Sequence, residues 1–135
     1  MNEWHLVPLI RHGKVFVWRK NDSIVGSVQY FLDWQHPKRA YMYGIAIAKL
    51  YQGNGLGTLL LTETFEKLKE DGIDSVELTV SPDNEAAINV CQNKLGFQAV
   101  GLRKDEYGQG EDRVVMIKTL LTWKYRDFGE KTHNL

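Results

Sequence analysis

The sequence predicts an α/β (α+β) fold, a mixed sheet in which two helices serve as crossovers. Three observations predict it. Short β-rich runs punctuated by turn signals open the chain, the apolar period becomes helical at a cluster of glycines, and further β-rich runs follow each helical stretch.

The elements follow in order. Lys14 to Arg19 and Ser23 to Phe31 are β-rich runs around Lys20-Asn21-Asp22, which reads as a hairpin turn. Leu32 to Ala40 reads as a loop, since Pro37 bars regular pairing. Tyr41 to Ala48 reads as a third strand, and Gly44 inside it predicts a bulge or a close backbone approach. Leu56, Leu60, Leu61, Phe65 and Leu68 then form an apolar helical stripe that stops at Asp71-Gly72. Ser75 to Val80 is a short strand. From Ser81 a polar start, Pro82 near the first turn and Gly96 as a stop predict a second helix. Phe97 to Arg103 and Arg113 to Leu121 close the sheet around a polar loop, and 123–135 reads as a tail, packed in part through Trp123 and Phe128.

At 135 residues the chain reads as one domain over 1–135, with 1–13 a short N-terminal segment. Seventeen basic residues balance seventeen acidic ones, which removes the broad positive field of a nucleic-acid binder. The lone cysteine, Cys91, excludes an internal disulfide framework and a Cys-based zinc site, so no metal is expected. No apolar run approaches membrane-spanning length and no signal-peptide layout opens the chain, so the expected location is the cytoplasm, away from membranes.

The chemistry concentrates between Ile45 and Leu61, where a strand passes through a glycine turn into a helix. The first N–H groups of a helix have no partner within it and carry the positive end of its dipole, so such a turn suits a phosphate. Glycines allow close approach. A bare glycine-rich turn with no ligand satisfies the same residues. A nucleotide P-loop does not fit, for no Gly-Lys-Ser/Thr ending is present, and Gly53-x-Gly55-x-Gly57 lacks the dinucleotide pattern.

Gln52-Gly53-Asn54-Gly55-Leu56-Gly57 resembles the Gln/Arg-x-x-Gly-x-Gly signature of the GNAT superfamily of N-acetyltransferases. Asn84-Glu85-Ala86-Ala87 followed by Leu95-Gly96-Phe97 is similar to the family's Asn-x-x-Ala helix and its exit into the next strand. Lys14 to Leu121 carries the resemblance. It implies a mostly antiparallel twisted sheet with a shortened N-terminal strand and helix region, and direct transfer of acetyl from acetyl-CoA to a primary amine. The segment Leu102 to Met116 further resembles the bacterial ribosomal-protein N-terminal acetyltransferases, which implies Tyr107 as a holder of the substrate's N-terminus; an exposed aromatic in a hairpin loop is the plainer account.

The resemblance implies a cofactor site in which Ile45, Ala46 and Ile47 hold the pantetheine arm by their backbone. In the same site Gln52, Gly53, Asn54, Gly55, Leu56, Gly57 and Thr58 surround the pyrophosphate, and the Asn84 side chain bonds the arm. Two positions depart from the family. The tyrosine usually found seven residues after the helix-starting Asn is replaced by Cys91, while counting back from Gly96-Phe97 reaches Gln92 because of one extra residue. Cys91 is thus a candidate proton donor to the leaving thiolate or a plain core residue beside Ile88 and Leu95. The glutamate that serves the N-terminal subfamily as base is replaced by Thr79. Glu77, on the same side of the strand by alternation, is the substitute or an uninvolved carboxylate. Tyr41, Tyr43 and His36 are further residues for the rim.

The acceptor implied is a protein N-terminus or a small amine such as a polyamine. A non-catalytic acyl-CoA-binding sensor or scaffold is the alternative, favoured by the two missing side chains. The family opens with more chain than the thirteen residues before the first strand here. Either the acceptor pocket is open, a partner subunit completes it, or the chain is a truncated form; an unfinished edge favours a homodimer.

Overall fold

The computed structural model describes residues 6–120; the reading of 123–135, with Trp123 and Phe128, lies outside them. A short helix α1 (Leu6–His12) precedes the hairpin of β1 (Lys14–Lys20) and β2 (Ser23–Leu32), whose turn carries Asn21 at φ 57°. Next come β3 (Arg39–Ile47), a 3-10 turn (Lys49–Tyr51), α2 (Leu56–Glu70) and β4 (Ser75–Val80). The chain closes with α3 (Glu85–Asn89), a π-helical turn (Val90–Lys94), β5 (Gln98–Arg103) and β6 (Arg113–Thr119).

The six strands lie in the order β1-β2-β3-β4-β6-β5, antiparallel except where β3 meets β4. The mixed, mostly antiparallel architecture agrees with the sequence reading. Two details differ. The second helix starts at Glu85 rather than near Ser81, with Pro82 in the turn just before it, because Asn84 takes the cap by accepting from the Ala87 N–H at 3.1 Å. The predicted second helix also changes period, running on from α3 into a π-helical turn after Asn89 that absorbs the extra residue.

Both long crossovers pack on one face. Leu60, Leu61, Phe65 and Leu68 of α2 join Val28, Tyr30, Val76, Leu78 and Met116 of the sheet, and Phe65 meets Phe97 edge-on at 5.9 Å. Each such large apolar side chain stabilises by about 1.5–3 kcal/mol on burial. Thr64 interrupts this stripe without an unmet polar group. Its hydroxyl donates to the Leu61 carbonyl at 2.8 Å, so the Tyr30 hydroxyl at 2.7 Å must be donating to it.

The sheet's decisive feature lies at its centre. β3 and β4 pair only at Arg39–Ser75, Ala40–Val76 and Tyr41–Glu77, although both strands run on. Just past that point β3 carries one more residue than β2, Tyr43 being inserted between the Tyr30–Met42 and Gln29–Gly44 pairs. This is the irregularity Gly44 predicted. A bulge bends its strand, and β3 follows β2 to Ile47 while β4 stays with β6 along its whole length.

Candidate active site

Where β3 and β4 part, the backbone groups of β3 that face away from β2 lose their strand partners. A cleft of about 460 Å³ occupies the gap, lined by Tyr43, Ile45, Leu78, Thr79, Ala87 and Cys91 among others. Its lining is almost wholly apolar. Ile45 and Ile47 lie on this part of β3, and Ile45 lines the apolar slot.

The glycine turn leads from the end of that strand into α2. Gly53 and Gly55 both adopt left-handed φ, 86° and 76°, and nothing lies within 4 Å of where a Cβ would be on either. Gly55 is the N-cap of α2, and no side chain caps the helix. The N–H groups of Leu56, Gly57 and Thr58 therefore emerge at an open turn with the helix dipole behind them. Gln52 plays a part the sequence did not suggest. Its side-chain amide donates to the Ile47 carbonyl at 2.9 Å and ties the turn to the end of β3. Asn54 is exposed in the turn, Ala46 is exposed on the strand, and Asn84 has its oxygen engaged as a cap, while its amide NH2 has no partner among the described residues.

Two counts from the sequence disagreed over which residue faces the cleft, and the π turn resolves them. The Leu95 N–H donates to the Val90 carbonyl at 3.1 Å, a span of five residues that accommodates one extra. As a result Cys91 is buried in the core cluster and lines the cleft, while Gln92 is exposed. Burial raises the Cys91 thiol above its usual range, so it stays protonated at neutral pH.

The opposite face of the sheet carries a polar network centred on β4. The Thr79 hydroxyl lies 3.2 Å from both the Tyr41 hydroxyl and Arg113 Nε, and Arg113 Nη2 donates to the Thr79 carbonyl at 2.8 Å. Arg113 also stacks on the Tyr107 ring, 4.8 Å from its centroid. Hydrogen bonding with Tyr41 is the main influence that lowers the Tyr107 hydroxyl, while burial raises that of Tyr41. Thr79 lines the cleft as well, so this network forms its far wall. Glu77 belongs to the same face, but it is buried and its oxygens are engaged: Arg103 Nη2 at 2.9 Å and Arg39 Nη1 at 4.0 Å. His36 is elsewhere. It sits in the β2–β3 connection against Asp74, 3.4 Å away, at the paired end of the strands. Tyr41, Thr79 and Arg113 acting as a unit were not legible, because three strands bring them together.

Chain order, a parted strand pair and a glycine turn at a helix start can be compared with known proteins. The chain matches the acetyltransferase (GNAT) family over residues 2–97. It belongs to that family. It is 37% identical over 103 residues to the [ribosomal protein bS18]-alanine N-acetyltransferase of Haemophilus influenzae, covering 72% of this chain and 66% of that one. It is 31% identical over 115 residues to an N-alpha-acetyltransferase of Sulfurisphaera tokodaii, covering 78% and 68%. The chain thus spans about two-thirds of the length of these relatives. Its fold is shared with a Bacillus subtilis acetyltransferase solved in complex with CoA, at a TM-score of 0.75, 20% identity and coverage of 88% and 84%. Among the described residues no helix is long and apolar enough to cross a membrane, and no group of three or more His, Cys, Asp or Glu gathers as for a metal.

Proposed function

We propose that this GNAT-family chain transfers an acetyl group from acetyl-CoA to a primary amine. The observation that carries the reading is the parting of β3 from β4 above the glycine turn. Acetyl-CoA presents a pyrophosphate, then an extended arm with amides, then a thioester. The turn and the α2 N-terminus offer donors for the first, the free edge of β3 offers strand-like partners for the second, and the apolar cleft offers a dry place for the third.

The amine then attacks the acetyl carbon from the Thr79 side, the carbon–sulfur bond breaks and the thiolate leaves. A backbone N–H of Ile45 to Ile47 polarises the carbonyl, the Cys91 thiol, held protonated, supplies a proton for the departing sulfur, and the proton that the nitrogen sheds on becoming an amide passes to solvent, from which Cys91 regains its own. Tyr107, whose hydroxyl is lowered, accepts the amine's hydrogen bond beside Tyr41 and Thr79. Glu77 acts by positioning, holding Arg103 and Arg39 under this wall. Alignment in the cleft supplies most of the acceleration, since a thioester is already reactive toward a free amine. The relatives named for acetylating protein N-termini favour an N-terminal α-amine over a polyamine.

Two measurements test this. Acetyl-CoA should raise the melting temperature where ATP and NAD do not, and free CoA should appear when N-terminal peptides are added. No melting shift at high excess of acetyl-CoA would refute the donor assignment. Binding with no turnover across peptides and polyamines would select a non-catalytic acyl-CoA sensor, the reading that the engaged Glu77 carboxylate favours.

A further inference from the structure

Beside the polar network, the face of the sheet away from α2 holds an apolar ledge that the transfer chemistry does not use. Phe31 of β2 stands opposite Tyr41 of β3 in the ladder, so the two share a face. The inserted Tyr43 falls on that face too and meets the Phe31 ring edge-on, centroids 5.4 Å apart. Phe31 remains 37% exposed and Tyr43 55% exposed. Aromatic pairs in a sheet usually gain by covering one another and the core beneath; this pair stands clear of the main core cluster and faces outward.

Two relations fix what it would take. The ledge is continuous with the cleft, because Tyr43 lines both. A group held at Tyr41 and Thr79 for acetylation therefore has its next atoms over Tyr43 and Phe31. The carboxylates beside the polar network are also paired: Glu77 lies against Arg103 and Arg39, and Glu106 lies 3.9 Å from Arg103, while Arg113, bonded to the neutral Thr79, keeps its positive charge. An extended chain, whose side chains alternate in direction, would lay one side chain on the two rings.

We propose that the Phe31–Tyr43 ledge is a specificity surface for a peptide acceptor, seating an uncharged apolar side chain that directly follows the residue bearing the acetylated amine. The proposal rests on the acetyltransferase reading. It deepens that reading by naming a class of acceptor, and it predicts rejection of polyamines and of peptides with Lys or Asp at the second position.

The test uses the full chain, acetyl-CoA, and tetrapeptides beginning with Ala that differ only in the second residue, Leu, Phe, Gly, Lys or Asp, with spermidine as a further acceptor. Both kcat/KM from CoA release and direct peptide binding in the presence of CoA are measured. Leu and Phe should exceed Lys and Asp by about tenfold, the scale of one well-seated apolar group. Phe31→Ser should level that preference while leaving the acetyl-CoA melting shift in place, which also shows that the variant is folded, and Tyr43→Ser should level it too. An equal response to all second residues, or a best rate with spermidine, would overturn the ledge. If no acceptor turns over, the transferase reading fails, and the binding arm still decides the ledge by whether Leu and Phe peptides bind more tightly than Lys peptides. A dimer that sedimentation shows split by Phe31→Ser, with peptide preference unchanged, would make the face a contact between copies and refute the proposal.

Discussion

The glycine turn allows a prediction in which two neighbouring substitutions of the same kind move stability in opposite directions. Gly55 caps α2 at φ 76°, and a Cβ there meets nothing within 4 Å. Gly55→Ala therefore has no steric cost and a purely conformational one, about 1–2 kcal/mol for an L-residue in the left-handed region. For a chain of this size that lowers the melting temperature by about 3–10 °C. Gly57 is different. It lies inside the first turn of α2, and its added Cβ would sit 3.8 Å from Ile45 Cδ1 and 3.8 Å from Ile47 Cγ1, ordinary contact distances. Gly57→Ala should gain about 0.5 kcal/mol of helix stability and raise the melting temperature by roughly 2 °C. The two should also part in ligand response. A ligand at a hundred times its Kd stabilises by about 2.7 kcal/mol. Gly57→Ala should keep that increment, since its Cβ points at the strand. Gly55→Ala should lose much of it, because relaxing φ swings the N–H groups of Leu56 to Thr58 out of convergence. Thermal unfolding of both variants with and without acetyl-CoA decides the matter. A stable Gly57→Ala that no longer responds to acetyl-CoA would refute the assignment of which surface the pyrophosphate meets.

Glu77→Gln removes the anion from two guanidinium groups and should cost roughly 1–3 kcal/mol in stability, less than a fully buried pair because Arg103 is part-exposed; kcat measured well below the melting point should fall less than tenfold, whereas a hundredfold loss would make Glu77 the base. Cys91→Ala should lower kcat by at least tenfold with little change in acetyl-CoA affinity if the thiol protonates the leaving sulfur; unchanged turnover would leave Cys91 as core packing. Burial holds the Tyr30 phenol well above its usual 10.0, so above that pH the unfolded chain loses a proton the folded chain retains. Stability should therefore fall as pH rises past about 10, at up to about 1.4 kcal/mol per pH unit, and denaturant titrations of Tyr30→Phe should show a shallower slope. An identical slope would remove Tyr30 as the cause.

Much of the fold was legible because its signals are local. Asn21-Asp22, the leucine stripe of α2 and the cap at Asn84 each act within one turn or one helix, and each element stands within a few residues of its predicted place. The segment proposed to hold the donor was legible for the same reason, as Ile45 to Thr58 is one continuous stretch. The acceptor side was not. Tyr41, Thr79 and Arg113 come from β3, β4 and β6, and Tyr107 from the loop between β5 and β6. Their meeting depends on the strand order, in which β6 lies between β4 and β5. Alternation correctly put Glu77 on the face of Thr79, but nothing local indicated that Arg39 and Arg103 would claim its carboxylate from either side. The ambiguity between Cys91 and Gln92 had a similar origin: counting assumes one helical period, and the π turn changes the period midway.

These features assign different mechanical roles to the two walls of the cleft. β4 is paired with β6 at every residue from Ser75 to Val80, and its alternation serves both faces at once, Leu78 and Val80 toward the cleft and Thr79 toward the acceptor network. It is the fixed wall. β3 is held to β4 by three pairs, then by β2 alone, with a bulge at Tyr43 and the Gln52 tie at its end. It is the wall free to adjust, and the one that would gain hydrogen bonds when an extended ligand enters. Seating acetyl-CoA should therefore order β3 from Met42 to Ile47 more than β4, and the Phe31–Tyr43 ledge, which rides on the bulge, would be set in place by the donor before the acceptor arrives. On the proposed reading donor-first binding is the expected order, because the residue inserted to open the gap is also the one that would face the acceptor.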